Sequence, residues 1–350
     1  MNYNNPSERK PDSDIYGGLV ERRQMATEPG RTVSVTNQKG GVGKTTTCVN
    51  LAAGLAMRGH RVLLVDVDPQ SNATTGLGVD HRRVEGSTYD VLLGEVSMRD
   101  VVRASAIRGL DLAPASLDLA GAEIELVGAI ARERKLAEAL DGVAADYDVV
   151  FVDCPPSLGL LTINALAAAQ DLIVPVQCEY FALEGLGQLL GTAERVRRSI
   201  NRGLRIGGLL LTMYDARTKL AEQVAGDIRG HFPALTFKTV IPRSVRLSEA
   251  PSFGEPVLTL DPSARGSIAY RLLAAEVEAR FGLVRSRHGN GRGDMRTSSR
   301  AVAPGPGGRG YGTVTAQPQG VDETWPRPAP WTGGREDAGV SDASVGKEKT

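Results

Sequence analysis

Residues 38–47 read QKGGVGKTTT and decide the fold class of this 350-residue chain. The common phosphate-binding loop has the pattern G-x-x-x-x-G-K-[ST], and Gln38 stands where its first glycine belongs. What remains is K-G-G-x-G-K-T-T, which places a second lysine, Lys39, inside the loop. The stretch is therefore a variant of the common loop, with two lysines where one is usual.

Each residue type in this loop suits the binding of a nucleotide triphosphate. Glycines at 40, 41 and 43 permit backbone conformations barred to other residues, so that N–H groups can converge on phosphate oxygens. A helix that starts near Lys44 points its partial positive charge at the same anion. The motif predicts Lys44 on the β and γ phosphates and the Thr45 hydroxyl on Mg²⁺. The predicted ATP-binding residues of the loop are Lys39, Gly40, Gly41, Val42, Gly43, Lys44, Thr45 and Thr46.

The residues on either side of the loop predict a strand before it and a helix after it. Residues 32–36 form a short β-branched run, and residues 46–57 have the composition of a helix. Strand, glycine-rich loop and helix is the context that supports such a motif. A chance glycine-rich turn is the alternative, and it would need the spacing, both lysines and both flanks to coincide.

Apolar runs and helical periods alternate along the middle of the chain. Near-continuous apolar runs predict parallel strands that are covered on both faces. The alternation predicts an α/β fold, a doubly wound and mostly parallel sheet with helices on both faces and ligands at the carboxyl ends of the strands. The further predicted strands are 62–66, 149–153, 172–176, 206–211 and 237–241, and the further predicted helices are 120–140, 183–199, 220–231 and 263–281.

The two ends of the chain differ in composition from its middle. Residues 1–29 are polar, and residues 284–350 are rich in Gly, Pro and Arg. Such segments cannot bury enough apolar surface to offset the entropy of ordering, so we expect disorder there and one ATPase domain over 30–283. Forty-one basic residues balance forty-one acidic ones, so any nucleic-acid surface must be a local patch. Three scattered cysteines and the lack of a long apolar segment predict a cytoplasmic protein.

Two of the predicted strands end in aspartate. Asp153 closes VVFVD, the place where a phosphate-loop hydrolase puts the carboxylate that holds the magnesium water shell. The alternative for Asp153 is an acidic residue that caps a strand end. Asp66 and Asp68 follow the second strand, and one of them could orient the attacking water. Periodicity does not choose between them, and we prefer Asp68 because it lies beyond the strand end, nearer the loop.

These residues together resemble the ParA-type partition ATPases of the Soj kind, within the MinD/ParA group of deviant phosphate-loop proteins. The resemblance covers about residues 31–282. The stretches that carry it are TNQKGGVGKTTT (36–47), LLVDVDPQSNATTGLG (63–78), AGAEIEL (120–126), FVDCPPSLGLLTINAL (151–166), PVQCEYFALEGLGQLL (175–190), LTMYDART (211–218) and TVIPRSVRLSEAPSFGEP (239–256).

The resemblance implies a mechanism with ATP and Mg²⁺. Two protomers close face to face around two ATP molecules, and Lys39 matches the lysine that reaches the partner's nucleotide. Lys44 matches the lysine of the common loop, and Asp68 matches the residue needed for hydrolysis. Thr45 and Asp153 match the groups that hold Mg²⁺ and its water shell. In the same way Pro242 matches a contact to the nucleotide base, and Ser244 stands where family members often have Asn.

The resemblance also implies DNA as a partner. The ATP-bound dimer of such proteins binds duplex DNA without sequence preference, and Arg217 and Arg246 match arginines implicated in that binding. Guanidinium groups make bidentate phosphate contacts that carry no sequence information. The alternative for both arginines is an intramolecular carboxylate partner. A ParB-like centromere-binding protein would stimulate hydrolysis on the nucleoid. Basic residues that could enlarge the patch are Arg195, Arg197, Arg198, Arg202, Arg205 and Lys219.

Two other functions share the phosphate loop. A MinD-like regulator of the division site cycles on the membrane through a basic amphipathic helix, and the final EDAGVSDASVGKEKT has too few apolar residues for one, so no membrane partner is expected. A reductase that resembles nitrogenase iron protein needs two cysteines near the dimer axis. Cys154 and Cys178 each follow a predicted strand, yet a buried structural thiol is the commoner role of cysteine.

Overall fold

The computed structural model describes residues 30–179 and 182–285. The predicted leader, residues 1–29, lies outside the described residues, as does all of the predicted tail except its first two residues.

A seven-stranded sheet forms the centre of the described domain, with the strand order β3-β4-β2-β5-β1-β6-β7. Every neighbouring pair is parallel except the short antiparallel pair of β3 and β4 at one edge. The predicted doubly wound, mostly parallel sheet is therefore confirmed. The strands are β1 (Arg31–Val35), β2 (Val62–Asp66), β3 (Arg103–Ala104), β4 (Leu110–Ala113), β5 (Val149–Asp153), β6 (Asp171–Gln177) and β7 (Arg205–Thr212).

Helices cover both faces of this sheet. Successive side chains of a strand point to opposite faces, and in β5 Phe151 packs into the cluster around α1 while Val150 and Val152 pack into a cluster on the other face. Both faces are therefore apolar and buried. The helices are α1 (Lys44–Met57), α2 (Asn72–Gly76), α3 (Thr88–Leu93), α4 (Met98–Val101), α5 (Leu119–Glu125), α6 (Lys135–Asp141), α7 (Leu160–Ala168), α8 (Ala182–Ser199), α9 (Lys219–His231), α10 (Val245–Glu249), α11 (Val257–Leu260) and α12 (Arg265–Phe281).

The predicted strand over 237–241 is wrong. The segment runs beside β7, and its ends bond to that strand, because the N–H groups of Phe237 and Ile241 donate to carbonyls of β7. Its middle does not form a ladder, because the carboxylate of Glu276 in α12 accepts the N–H groups of Lys238 (2.7 Å) and Thr239 (2.9 Å). A side chain distant in sequence has therefore replaced the pairing that the apolar pattern predicts.

The predicted single helix over 120–140 is also wrong. It is divided into α5 and α6, and Ala131 between them has a left-handed backbone with φ of 51°, which a continuous helix excludes. Asn164 of α7 stabilises the break. Its amide donates to the Arg132 carbonyl (2.8 Å), and its Oδ1 accepts the Leu136 N–H (3.1 Å) at the start of α6.

The topology brings three strand ends together at the carboxyl edge of the sheet. Asp153 at the end of β5 pairs in register with Val35 at the end of β1 and with Asp66 at the end of β2. The loop of residues 36–43 leaves β1 at this edge and leads into α1. The glycine-rich loop and the strand-end aspartates therefore meet.

Candidate functional site

The loop between β1 and α1 takes its shape from two glycines with left-handed backbones. Gly41 has φ of 74°, and Gly43, which precedes the first residue of α1, has φ of 91°. A residue with a Cβ is strained in this region. A Cβ added at Gly40 or Gly41 would meet no described atom within 4 Å, so there is open space beside both glycines.

Side-chain hydrogen bonds tie the loop to the neighbouring strands β6 and β7. Their donors, Asn37 and Thr212, were not identified from the sequence. Asn37 donates from its amide to the Pro175 carbonyl (2.7 Å), and its Oδ1 accepts the Lys39 N–H (3.0 Å). Thr212, the last residue of β7, donates to the Val42 carbonyl (2.8 Å). Thr212 is the last residue of an apolar strand and Asn37 lies two residues after one, which is the signal that could have revealed them.

The start of α1 presents positive charge to the same space. The first N–H groups of a helix have no partner within the helix, and no acidic residue or side-chain cap neutralises them here. Lys44 is buried, and its ammonium donates to the Lys39 carbonyl (3.2 Å). Burial lowers the pKa of Lys44, and the nearby Asp153 carboxylate opposes this effect. An anion in the loop would supply the counter-charge that this ammonium lacks.

Asp153 is a buried carboxylate without hydrogen-bond partners among the described residues. The Thr45 hydroxyl and the Cys48 thiol lie close enough to lower its pKa without reaching strict hydrogen-bond geometry. Burial raises the pKa of Asp153 well above its usual range, and the charge of Asp66 raises it further. Burying such a group unpaired is costly. The carboxylate and the Thr45 hydroxyl fit a hydrated Mg²⁺, since hard oxygen donors are what this ion binds.

The two candidate aspartates after β2 have different surroundings. Asp66 is fully engaged: its Oδ2 accepts the N–H (2.9 Å) and hydroxyl (2.7 Å) of Thr74, and its Oδ1 accepts the Asp68 N–H (3.1 Å). Burial raises the pKa of Asp66 to about 6. Asp68 receives one hydrogen bond, from the Gln70 N–H to Oδ1 (2.9 Å), and its Oδ2 accepts none from the described residues. Asp68 therefore has an oxygen free for a ligand, whereas Asp66 holds the local structure together.

A cleft of about 190 Å³ adjoins the loop on the side of β7. Pro242 and Ser244, the two predicted base contacts, line it together with Gly43 and Thr46. Its size and its position next to the phosphate loop suit a nucleoside. The cleft thus adjoins the predicted base contacts and one end of the phosphate loop, at Gly43 and Thr46.

Lys39 lies at the rim of the loop. Its side chain is 43% exposed, and its ammonium forms an ion pair with Oε2 of Glu179 at 2.9 Å. Glu179 was not identified from the sequence, since a single carboxylate after β6 carries no pattern. In this structure Lys39 therefore faces outward and is held by its own chain.

The two predicted DNA-contact arginines are exposed, and each has a carboxylate partner. Arg217 is 88% exposed and donates two hydrogen bonds to Asp215 (2.9 and 2.7 Å). Arg246 is 57% exposed and pairs with Glu249 (3.0 Å) and Asp261 (3.4 Å). The intramolecular partner considered above is thus present for both, yet both guanidinium groups stay accessible.

Most of the other basic residues that were expected to enlarge the DNA-binding patch lie at the opposite end of the strands from Arg217. Arg217 follows β7 at the carboxyl edge of the sheet, whereas the end of α8 and the start of β7 lie at the opposite edge. At that opposite edge Arg197 and Arg198 pair with Glu194, and Arg205 pairs with Asp171. The expectation that these three arginines enlarge the Arg217 patch is therefore wrong.

The cysteines are buried thiols. Cys154 lies 3.3 Å from the Ser34 hydroxyl, and burial raises the pKa of Cys154 to about 12 and that of Cys178 to about 11. Such thiols are inert at neutral pH. None of the described helices combines the length and the apolar composition that a membrane-spanning helix needs.

Comparison with known proteins adds to this geometry. A family model described as an AAA domain matches residues 30–206. The chain is 55% identical over 250 residues to the sporulation initiation inhibitor protein Soj of Bacillus subtilis, covering 71% of this chain and 99% of that protein. It is 52% identical over 258 residues to the chromosome partitioning protein ParA of Caulobacter vibrioides, covering 73% of this chain and 97% of that protein.

A solved structure has the same fold. It is cobyrinic acid a,c-diamide synthase from Mycobacterium smegmatis with a bound ATP analogue and magnesium. Its TM-score is 0.62 and its sequence identity is 41%, over 70% of this chain and 93% of that one. The residues that the family model matches include the loop and both strand-end aspartates.

Proposed function

Because this chain belongs to the family of Soj and ParA chromosome-partitioning ATPases, we propose that it segregates DNA through an ATP-driven cycle of dimerisation and DNA binding. It is a phosphate-loop ATPase that uses ATP and Mg²⁺. The observation that carries the proposal is the meeting of the glycine loop, buried Lys44 and unpaired Asp153 at one edge of the sheet.

Binding of ATP follows from the charges of the site. The N–H groups of the loop and of the first turn of α1 converge on the phosphates. The phosphate charge also stabilises the Lys44 ammonium, which burial removes from water. Thr45 and Asp153 would hold the magnesium ion and its water shell. When bound, the ion neutralises charge on the β and γ phosphates. Pro242 and Ser244 would contact the base in the adjoining cleft.

Asp68 has the main role in the proposed hydrolysis step. Phosphoryl transfer requires positioning and charge stabilisation more than strong base chemistry. The free Oδ2 of Asp68 would accept a hydrogen bond from the attacking water and orient it toward the γ phosphate, while Lys44 stabilises the charge on the transferred group. Without further help this positioning is incomplete, and slow turnover is expected.

Lys39 has the main role in the proposed dimerisation. A lysine at the rim of the loop, with 43% of its side chain exposed, is placed where a second protomer can approach. In the dimer Lys39 would leave Glu179 and bind the phosphates of the partner's ATP, so that two triphosphates hold two protomers together. Assembly would then depend on ATP, and hydrolysis would release the protomers.

The ATP dimer would bind duplex DNA through Arg217 and Arg246, which are exposed and can exchange carboxylate partners for phosphates. The protein would then be cytoplasmic and associated with the nucleoid. A ParB-like centromere-binding protein would stimulate hydrolysis and release it. The identity with Soj and ParA over nearly their whole length favours this cycle over the membrane cycle of MinD.

The test is the binding of the full chain to a fluorescent duplex of arbitrary sequence, measured with ATP, with ADP and without nucleotide. We expect binding with ATP alone, and a steep loss of affinity as salt rises from 50 to 200 mM, on the order of tenfold or more. Binding that ignores the nucleotide or the salt concentration would overturn the proposed function.

A further inference from the structure

We propose that Arg243 and Arg217 together form a phosphate-binding site for DNA, and that the Asp215 carboxylate occupies the place of the phosphate while DNA is absent. The inference rests on the proposed function, because DNA is the ligand. It adds a residue, Arg243, that neither the loop motif nor the family resemblance assigns.

Backbone hydrogen bonds join the two segments that carry these arginines. The Tyr214 N–H donates to the Ile241 carbonyl (3.0 Å), and the Arg243 N–H donates to the Tyr214 carbonyl (3.1 Å). Residues 214 and 242 pair as an isolated parallel bridge. The segment that carries Arg217 and the segment that carries Arg243 are thus joined by the main chain, so that their relative position is fixed.

The Asp215 carboxylate lies within the influence of both guanidinium groups. Arg217 donates to both of its oxygens, and this bonding, helped by the charges of Arg217 and Arg243, holds the pKa of Asp215 far below its usual range. Arg243 itself is exposed and forms no ion pair with any described residue. Asp215 therefore pairs with Arg217 alone, and the charge of the nearby Arg243 is left without an ion pair among the described residues.

A DNA phosphate is a better partner for this pair than the carboxylate. A DNA phosphodiester offers the planar guanidinium group the same bidentate geometry as a carboxylate and the same single negative charge. Arg217 is almost fully exposed, and ion pairs at exposed sites are weak, so the carboxylate does not prevent exchange. Each phosphate bound also releases condensed counterions from DNA, which a carboxylate of the protein cannot do.

The position of Arg243 links this site to the nucleotide. Residues 242–244 line the cleft beside the phosphate loop, and Arg246 follows on α10. A nucleotide in the cleft would therefore contact the segment that carries Arg243.

The first test compares R243A, R243K and R108A with the unchanged protein, using a fluorescent duplex and a saturating non-hydrolysable ATP analogue. Arg108 is the matched control, since it is exposed, forms no ion pair with described residues and lies beside β4 at the opposite edge of the sheet. We expect R243A to weaken binding about tenfold or more and to reduce the slope of log affinity against log salt by about 1. R243K should keep most of the slope, and R108A should match the unchanged protein.

The outcomes separate this inference from the proposed function. If the unchanged protein fails to bind DNA with the analogue, the proposed function fails. If it binds and R243A binds equally well with an equal slope, the inference fails alone. A defect of R243A that disappears when the analogue concentration is raised would also overturn it, because Arg243 would then act on the nucleotide.

The second test is D215N, which removes the charge but keeps Oδ1, the acceptor of the Arg217 N–H (3.1 Å). We expect D215N to bind DNA several-fold more tightly and with no smaller salt slope, since no internal anion competes for the arginines. A D215N protein that folds normally and binds DNA more weakly would contradict the inference, because Asp215 would then be needed to hold Arg217 in place.

Discussion

The ammonium of Lys39 lies 2.9 Å from the carboxylate of Glu179 in the same chain, and both side chains are nearly half exposed. The lysine proposed to act on a partner's ATP is thus engaged by its own protomer. The Gln177 amide also donates to Glu179 (2.5 Å), which holds the carboxylate toward the loop. Dimerisation must break this ion pair, so Glu179 competes with the triphosphate for Lys39.

The competition predicts that E179Q dimerises more readily. An exposed ion pair of this kind contributes about 0–1 kcal/mol, so the ATP concentration for half-maximal dimerisation should fall by up to about fivefold. Light scattering across a titration with an ATP analogue measures this half-maximal concentration. The control is E138Q, which removes the exposed Glu138–Lys135 pair on α6 (3.8 Å). A midpoint for E179Q equal to or above that of E138Q would contradict the competition.

The different surroundings of Asp66 and Asp68 predict different defects. D68N should retain ATP binding and lose hydrolysis by about 100-fold or more, because only the orientation of the attacking water is lost. D66N should lower the free energy of unfolding by about 1–3 kcal/mol, because the amide nitrogen cannot accept the hydrogen bonds from Thr74. Phosphate release and urea unfolding measure the two effects. A stable D66N without ATPase activity, beside an active D68N, would reverse the assignment.

The unpaired carboxylate of Asp153 predicts that D153N is more stable than the unchanged protein without nucleotide. Burial raises the pKa of Asp153 in the folded state, so the folded state holds its proton more tightly than the unfolded state. The stability of the unchanged protein therefore falls, relative to D153N, as pH rises above the ordinary carboxyl range. We expect an advantage for D153N of more than about 1 kcal/mol at pH 8, and a smaller one at pH 4.

Magnesium and ATP should reverse this order, because the ion pairs with the ionised carboxylate. Melting temperatures of both proteins, with and without magnesium and ATP analogue across this pH range, test the prediction. A constant difference between the two proteins at every pH would show that Asp153 does not titrate as its burial requires.

The backbone conformation of the loop predicts that two alanine variants differ in their free energy of unfolding. G41A places a Cβ on a residue with φ of 74° and should destabilise the fold by about 1–2 kcal/mol. G40A places one in open space without a left-handed backbone and should change stability by less than about 0.5 kcal/mol. Both should weaken ATP binding, since both fill the space that phosphates need. Equal unfolding free energies in urea would show that strain at Gly41 is unimportant.

The sequence predicted the fold class, and it predicted the loop and the strand-end aspartates that the structure brings to one edge of the sheet, because these features depend on local patterns. The apolar runs of β2, β5 and β6 and the spacing of residues 38–47 are contiguous in the chain. What it missed depends on contacts between distant residues. Glu276 replaces the predicted ladder over 237–241, Asn164 divides the helix predicted over 120–140, and Thr212 holds the phosphate loop from another strand. The partners Glu179 and Asp215 were missed for the same reason.

The central claim is that two copies of this chain are held together by ATP bound between them, with Lys39 acting across the interface. Sedimentation velocity of the unchanged protein and of K39A, each with and without a non-hydrolysable ATP analogue, tests it most directly. The account predicts that the analogue converts the unchanged protein to the mass of two protomers, whereas K39A binds the analogue and keeps the mass of one. An unchanged protein that stays at one protomer when saturated with the analogue, or a K39A protein that dimerises equally well, would contradict it.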